Sequence, residues 1–426
     1  MIKYYEDVFA FSSIFKVNLL TLQNNSQILK RVSPLNMKKR MASLHIKSFG
    51  PIVDSTKIEM TSLMVLIGRQ SAGKSTFMKV LCFCRWIEKK IMVSTDDMVN
   101  QYTHYNRFVK ELKQFHRLND DYFSDDTELM YDGDNITIEY KGVNGNARIT
   151  RKKSFAEKRY NTKLSYIPAE RNLVSAIQNV DKTYKATERD VLFNFIYEWD
   201  EAKTPYTSEH PFKLSATGGF SYVNKSGTDV LLREDGAETP AFYASSGMQS
   251  VMPMDVMANY ITERVGQNAS LSMRERNEIS KADNGHSYRR LGYQSAQLFI
   301  EEPEQNLYPE SQKLVVMSLV RSLKKALNNG SEQSLVVVTT HSPYVLSVVN
   351  VLLAAAIVDE KGLRQTVVDK DCLLPSKAIS GYYIDEKGVF QNIMDGDIPM
   401  LSGNDLDGVS DWVDESINKL NEILFA

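Results

Sequence analysis

The chain has 426 residues, 42% of them hydrophobic and 24% charged, with a formal charge of −2. That length can bury a large core, which excludes a disordered tail or a single small domain, and a prior of about 100–200 residues per domain points to two or three lobes. The near-neutral balance gives no global pull toward nucleic acid or membrane, so such a partner would need a local patch.

Three cysteines, Cys82, Cys84 and Cys372, offer neither a disulfide framework nor a four-ligand zinc site, and a reducing cytoplasm is the expected setting. Residues 1–40 mix Lys3 with Glu6 and Asp7 ahead of their apolar runs, which makes a poor signal peptide, and they end in Lys38-Lys39-Arg40. They read as an N-terminal extension outside the core fold, or as the product of an upstream start codon. From Met41 the pattern becomes regular. Ser43 to Ser48 and Ser55 to Met60 alternate like strands around the Gly50-Pro51 turn. Leu63-Met64-Val65-Leu66-Ile67 is the continuous apolar run of a strand covered on both faces.

That run leads into Gly68-Arg69-Gln70-Ser71-Ala72-Gly73-Lys74-Ser75-Thr76 and then the apolar Phe77-Met78-Lys79-Val80-Leu81. Strand, glycine-bounded loop and helix, with Lys-Ser after the second glycine, is the P-loop arrangement. The residue types follow from the task. Gly68 and Gly73 let the backbone wrap round phosphate oxygens, and loop amides plus the new helix N-terminus supply positive potential. Lys74 would neutralise the β- and γ-phosphates of a nucleotide, Ser75 would offer its hydroxyl to Mg²⁺, and Thr76 would meet the adjoining phosphate. Cys82 and Cys84, in that helix, read as small apolar side chains packed on the sheet.

Residues 94–126 are polar, with a helix expected around Phe108 to Phe115. Asn135 to Tyr140 and Ala147 to Arg151 alternate around Val143-Asn144-Gly145-Asn146, a hairpin signal because Asn and Gly both tolerate positive φ. Leu164-Ser165-Tyr166-Ile167-Pro168 looks like a returning strand. The hairpin end carries Arg148, Arg151, Lys152, Lys153, Lys158, Arg159 and Lys163 against Glu157. A DNA backbone contact needs such a patch, and an ordinary solvated hairpin looks the same.

Residues 185–203 read as an amphipathic helix through Val191, Leu192, Phe195 and Ile196, and 205–242 as mixed and rich in turns. Ala244-Ser245-Ser246-Gly247-Met248-Gln249-Ser250 opens a further helix. A cap alone would explain Ser-Ser-Gly; the functional alternative is that Ser246 and Gly247 present a hydroxyl and an amide to a γ-phosphate. Gln297-Leu298-Phe299-Ile300-Glu301-Glu302-Pro303-Glu304 is a short apolar strand delivering two carboxylates at its carboxyl end, where open α/β sheets place ligands. One carboxylate, Glu301, would hold the Mg²⁺ shell and the next, Glu302, would position or deprotonate the attacking water. Leu335 to Thr340 is another buried-type strand, and it ends in His341, where a γ-phosphate sensor would sit. No uninterrupted apolar run reaches the ~18 residues of a membrane span; Tyr344 to Val358, broken by Ser347 and Asn350, reads as a buried helix.

The set GRQSAGKST, YASSGMQS, LFIEEPEQNLYP and VVTTHSPYVL resembles the ABC-type ATPase heads grouped with the SMC, RecF and overcoming-lysogenization-defect (OLD) proteins, and more closely the AAA-family ATP-binding proteins of bacterial anti-phage defence and retron loci. The resemblance covers residues 42 to about 425, including Tyr166-Ile167-Pro168-Ala169-Glu170-Arg171. It implies an α/β P-loop NTPase of ABC-ATPase type, a mixed sheet flanked by helices with an antiparallel β subdomain and a helical signature lobe. Residues 41–171 would be the P-loop lobe, 172–293 the signature-bearing lobe and 294–426 the Walker B and switch-histidine half with a C-terminal helix. It also implies ATP and Mg²⁺ as ligands, Gly68 to Thr76 with Ser246 and Gly247 as the nucleotide cradle, Glu302 as catalytic carboxylate and His341 as switch histidine. Glu301 stands where most relatives have Asp.

Departures are visible. The signature reads Ser-Ser-Gly-Met-Gln rather than Leu-Ser-Gly-Gly-Gln, Glu301 adds a methylene, and no glutamine is placed as the metal-sensing Q-loop residue. No long heptad run suggests a coiled coil, and the stretch after His341 lacks the acidic clusters of a Toprim nuclease. In this class a signature cannot reach its own P-loop's nucleotide, so the resemblance implies a head-to-tail dimer, or a higher homo-oligomer, that ATP closes and hydrolysis opens. The expected output is the switching of a separate effector such as a nuclease, in defence against phage. The segment Arg264 to Arg290 is the candidate surface for it, or a solvated excursion. Two other readings remain open: a repair or recombination ATPase clamping duplex DNA, and a non-hydrolysing nucleotide sensor or scaffold. Transporter coupling is disfavoured. Lys74→Ala removes the charge that meets the phosphates, so nucleotide affinity should collapse while the fold persists; retained ATP affinity with full turnover would refute the P-loop assignment.

Overall fold

Alternation builds the first sheet. A computed structural model describes residues 42–93, 98–143, 145–153, 161–177, 190–267, 292–330, 333–394, 400–401 and 416–417, all within the unit Met41–Ala426. The expected N-terminal extension, most of the Arg264 to Arg290 segment and nearly all of the expected C-terminal helix lie outside the described residues. Strand β1 (Ser43–Phe49) pairs antiparallel with β2 (Ile52–Asp54) and β3 (Ile58–Glu59). Next come β4 (Leu63–Gly68), the helices α1 (Lys74–Val93), α2 (Met98–Thr103) and α3 (Arg107–His116), then β5 (Phe123–Asp132), β6 (Ile136–Lys141) and β7 (Arg148–Arg151). The order β2-β1-β5-β6-β7 makes an antiparallel sheet. In β6 the buried Ile136, Ile138 and Tyr140 alternate with more exposed residues, because only one face meets the helices. The β6–β7 hairpin forms as expected, but its described positive φ lies at Gly142 (φ 76) rather than at Gly145, and Asn144 lies outside the described residues.

A second sheet holds the candidate site. It takes β4, β8 (Asn161–Ile167), β13 (Tyr293–Glu301), β14 (Leu335–Thr340), β15 (Ile379–Ile384) and β16 (Phe390–Asn392) in the order β16-β15-β4-β14-β13-β8. Five of these strands run parallel and β16 runs antiparallel to β15, so the sheet is mixed. Segments 41–171 and 294–426 both contribute strands to it. Every residue of β4 and β14 is buried, as a parallel sheet covered on both faces requires. Met64, Leu66, Phe299 and Val337 join the core shared with α1 and the antiparallel sheet, whereas Val65, Ile67, Leu298, Ile300, Val336 and Val338 face the opposite core.

That opposite core is built by α4 (Val191–Ala202), α5 (Ser246–Glu263), α6 (Pro309–Asn329) and α7 (Pro343–Glu360). Helix α7 is long and apolar enough to cross a membrane by composition, with mean hydropathy 1.6. Its Val345, Leu346, Val349, Leu352 and Leu353 are buried in this core, while Tyr344 and Val351 stay exposed. Between α4 and α5, in the stretch the sequence shows as mixed and rich in turns, lie β9 (Phe212–Lys213), β10 (Phe220–Lys225), β11 (Thr228–Arg233) and β12 (Glu238–Pro240), an antiparallel sheet of order β12-β11-β10-β9. The β10–β11 connection is Ser226-Gly227, both at positive φ (52 and 90), the two-residue hairpin geometry.

Buried polar contacts anchor α1 between the two larger sheets. The Arg85 guanidinium donates to Gln297 Oε1 on β13 (2.8 Å), to Asp134 Oδ2 (2.7 Å) and to Tyr131 OH (3.0 Å), and Glu88 Oε1 accepts from Asn135 N (2.6 Å). Such a network is weak evidence for net stability, but removing one partner leaves an uncompensated charge at about 3–5 kcal/mol.

His116, the last residue of α3, is fully buried against the rings of Phe83, Phe115 and Tyr166, and neither ring nitrogen has a hydrogen-bond partner among the described residues. Burial, with Lys79 nearby, pushes its pKa well below the usual value. Below the unfolded value of about 6.5 the unfolded chain therefore binds the extra proton, so stability is lost as the pH is lowered, at up to about 1.4 kcal/mol per pH unit. His116→Phe should flatten the pH dependence of urea unfolding between pH 7 and 5 by that increment; equal slopes in both proteins would contradict it.

Candidate functional site at the carboxyl edge of the parallel sheet

The loop from Gly68 to Gly73 departs from the end of β4. Gly73 has φ 109, and a Cβ there would lie 2.8 Å from Ile52 Cγ1, so only glycine fits against the β1–β2 turn. Arg69, Gln70 and Ser71 are exposed and Ala72, Lys74 and Thr76 buried, with Ser75 between. Helix α1 begins at Lys74, and its first turn carries no acidic residue, which leaves the helix N-terminus positive. Lys74 Nζ folds back on the loop, donating to Gly68 O (2.8 Å) and Arg69 O (2.6 Å). Burial pushes the lysine down to about 8, against the pull of Glu302 and Glu304. Arg69 pairs with Glu386 of the β15–β16 turn. The exposed loop residues Arg69, Gln70 and Ser71, an acid-free helix start and an inward lysine fit a polyphosphate, although no described cluster of three or more His, Cys, Asp or Glu forms a metal cage.

Strand β14 lies between β4 and β13, which puts His341 between the P-loop and the paired carboxylates. Lys74 Nζ approaches His341 Nδ1 at 3.4 Å, and His341 Nε2 approaches Glu302 Oε1 at 3.3 Å. A neutral imidazole protonated on Nε2 satisfies both contacts, accepting from the ammonium and donating to the carboxylate. The His341 hydrogen bond holds the half-buried Glu302 carboxyl below its usual range; burial opposes that, and the charges of Lys74 and Arg171 add to it. Glu301 ends β13 with both oxygens engaged on the β8 side: Oε1 accepts from Tyr166 OH (2.7 Å) and Oε2 from Ala169 N (3.0 Å). Among the described residues no hydrogen bond joins it to Ser75. A carboxylate has about four lone-pair sites, so further ligation remains open to it.

Two residues without an assigned role in the sequence pattern organise this edge. Arg171 is completely buried. Its Nη1 donates to Glu301 O (2.7 Å), its Nη2 to Glu302 O (2.7 Å) and its Nε to Ser250 O on α5 (2.9 Å). Burial pushes it down to about 10 despite the nearby Glu304, Glu302 and Glu301. It clamps Glu302, a non-glycine residue at φ 42. The other is Glu304, which bonds Thr340 and His341. The only sequence signal for Arg171 is its place in Tyr166 to Arg171, and for Glu304 its place beside the carboxylate pair.

The expected signature stands at the start of α5. Ser245 is the N-cap, its hydroxyl accepting from Met248 N (3.4 Å), and Ser246 is exposed. A Cβ on Gly247 would lie 2.8 Å from Asn306 O, so the glycine lets the helix meet the loop after β13. Among the described residues no hydrogen bond connects Ser246 or Gly247 with residues 68–76.

The expected basic patch does not persist as a unit. Lys163 is buried in β8 and pairs with Glu198 (3.4 Å), because β8 is a fully buried parallel strand at the edge of the second sheet rather than a hairpin arm. Lys152 pairs with Asp132. Arg148, Arg151 and Lys153 remain exposed, while Glu157, Lys158 and Arg159 lie outside the described residues.

Residues 144–346 match the family model of the AAA ATPase domain, a range that holds Ser246, Glu301, Glu302 and His341 but starts after the P-loop. No curated protein matches. Solved structures similar to the chain include the SMC head domain from Thermotoga maritima, at 11% identity and TM-score 0.36, covering 85% of this chain and 100% of that one. Another is the Smc head domain with an extended coiled coil, bound to the C-terminal domain of ScpA, from Pyrococcus furiosus, at 11% identity and TM-score 0.37, covering 90% of this chain and 100% of that one. At such scores these likenesses add nothing to what the strand order argues. Residues 144–346 are thus similar to the AAA ATPase domain family, and the chain presents them on a mixed α/β sheet.

Arg171→Leu should destabilise the protein, since three buried carbonyls lose a charged donor at about 1–3 kcal/mol each. A chemical-denaturation midpoint unchanged from the parent would mean that the clamp contributes nothing.

Proposed function

We propose that the chain binds ATP with Mg²⁺ and hydrolyses it, and that binding and hydrolysis close and open a head-to-tail dimer. The observation that carries this reading is the line Lys74, His341, Glu302, drawn from the ends of β4, β14 and β13 at 3.4 and 3.3 Å. It joins a phosphate-binding ammonium to a carboxylate able to take a proton. Bound Mg²⁺ would screen phosphate charge, with Ser75 and Glu301 as the residues to hold it. Gly68, Arg69, Gln70, Ser71, Ala72 and Gly73 supply loop amides, Lys74 the charge and Thr76 a hydroxyl. Glu302 orients a water and accepts its proton. His341, held between Lys74 and Glu302, reports whether the γ-phosphate is present.

The exposed Ser246 supports the dimer reading: the start of α5 offers hydroxyl, amide and helix-end potential to an anion outside its own subunit. A nucleotide that forms part of the interface acts as a switch, because it binds the closed state better than the open one. A separate effector protein, with anti-phage defence as its setting, is the partner we propose. The reading of a DNA clamp loses support from the pairing of Lys152 and Lys163.

Glu302→Gln keeps size and hydrogen bonding but removes the basic charge, so hydrolysis should slow by about 10²–10⁴-fold. The closed dimer should then accumulate with ATP and not with ADP in sedimentation or light scattering, and adding Ser246→Arg should disperse it. If the parent releases no phosphate and the variant associates equally with either nucleotide, a static sensor or scaffold is the better account.

A further inference from the structure

His341 is held from both sides by a closed ring of hydrogen bonds that passes outside the line of proposed chemistry. Glu304 Oε1 accepts from the Thr340 hydroxyl (2.6 Å) and from His341 N (2.8 Å). Thr340 Oγ1 in turn accepts from Ser342 N (2.9 Å), and Ser342 Oγ donates to Gln312 Oε1 (2.6 Å). Gln312 Nε2 donates to Leu307 O (3.0 Å), and Leu307 N donates to Glu304 O (3.0 Å), which closes the ring. The ring ties the loop after β13 to the end of β14 and to the first turns of α6 and α7. His341 lies on it through its backbone alone, and its side chain points out of it toward Lys74 and Glu302.

Glu304 is the member that no other group replaces. Its Oε2 is buried and has no hydrogen-bond partner among the described residues, so within them the carboxylate bonds to Thr340 and His341 through Oε1. A carboxylate that takes two donors on one oxygen fixes the direction of both, and here they are the two residues that aim the imidazole. Both His341 contacts are long, at 3.4 and 3.3 Å, so a small rotation of the residue 340–341 backbone would break one of them.

We propose that Glu304 is a positioning residue for ATP hydrolysis, setting the backbone from which His341 reaches Lys74 and Glu302. The inference rests on the ATPase reading for its kinetic part and on the unliganded geometry for the rest, so the two can fail separately.

The test labels the six histidines with ¹⁵N and identifies the His341 ring signals in nucleotide-free protein by their loss in His341→Ala. Glu304→Ala should move those signals and leave the other histidines in place. It should lower kcat by about 10–100-fold while KM for ATP changes by less than about 2-fold, the pattern of lost alignment rather than lost binding. Glu304→Gln keeps an acceptor oxygen and should restore the ring signals and most of the rate. Thr340→Val removes one of the two donors without changing side-chain shape and should shift the same signals; it carries the test if Glu304→Ala does not fold. Unmoved His341 signals in Glu304→Ala and Thr340→Val, or a Gln variant as impaired as the Ala variant, would overturn the proposal. A parent protein that releases no phosphate would overturn the ATPase reading, while the ring signals of the nucleotide-free variants would still decide whether Glu304 positions His341.

Discussion

A buried ammonium at the start of a helix is held against two costs, desolvation and the positive end of the helix itself. Lys74 meets both by folding Nζ onto the carbonyls of Gly68 and Arg69 and by lying near the charges of Glu302 and Glu304. Much of the surrounding architecture serves that compensation. Strand β14 must lie between β4 and β13 for His341 to bridge ammonium and carboxylate, and the β1–β2 turn must press on Gly73 for the loop to close over the lysine. The result is a cation satisfied by weak neutral acceptors, and an incoming phosphate is a stronger partner than any of them.

The parts legible in the sequence are those whose physics is local. Leu63 to Ile67 and Leu335 to Val338 are apolar at every position because both faces of the sheet are covered, and the place where apolarity stops lies close to the sheet edge. Gly73 followed by Lys74 and Ser75, and Glu301 followed by Glu302, sit at those edges, so periodicity and punctuation suffice to find them. The β9–β12 sheet is harder, since its strands are short and Phe220 to Lys225 alternates weakly, although Ser226-Gly227 and Asp235-Gly236 mark its turns. Lys163 defeats a reading by composition. Its charge suggests a solvated arm, yet the aliphatic stem of a lysine can lie in a core when a carboxylate such as Glu198 meets its head. Arg171 and Glu304 act across 79 residues to Ser250 and 36 residues to Thr340, and no spacing rule within a single sequence reports contacts of that range.

Arg171 makes two elements with different tasks behave as one body. The same guanidinium holds the carbonyls of Glu301 and Glu302 and that of Ser250, one turn into α5, and Gly247 at the head of that helix lies against Asn306. A force applied at Ser246 therefore reaches the Glu302 backbone through bonds of 2.9 and 2.7 Å. The left-handed conformation of Glu302 costs about 1–3 kcal/mol. Charged hydrogen bonds of the kind Arg171 supplies contribute about 1.5–3 kcal/mol each. Since the two quantities are of similar size, the Arg171 bond to the Glu302 carbonyl, together with the bond from Glu302 N to Thr339 O (2.9 Å), offsets the cost of that conformation and keeps Glu302 aimed toward His341.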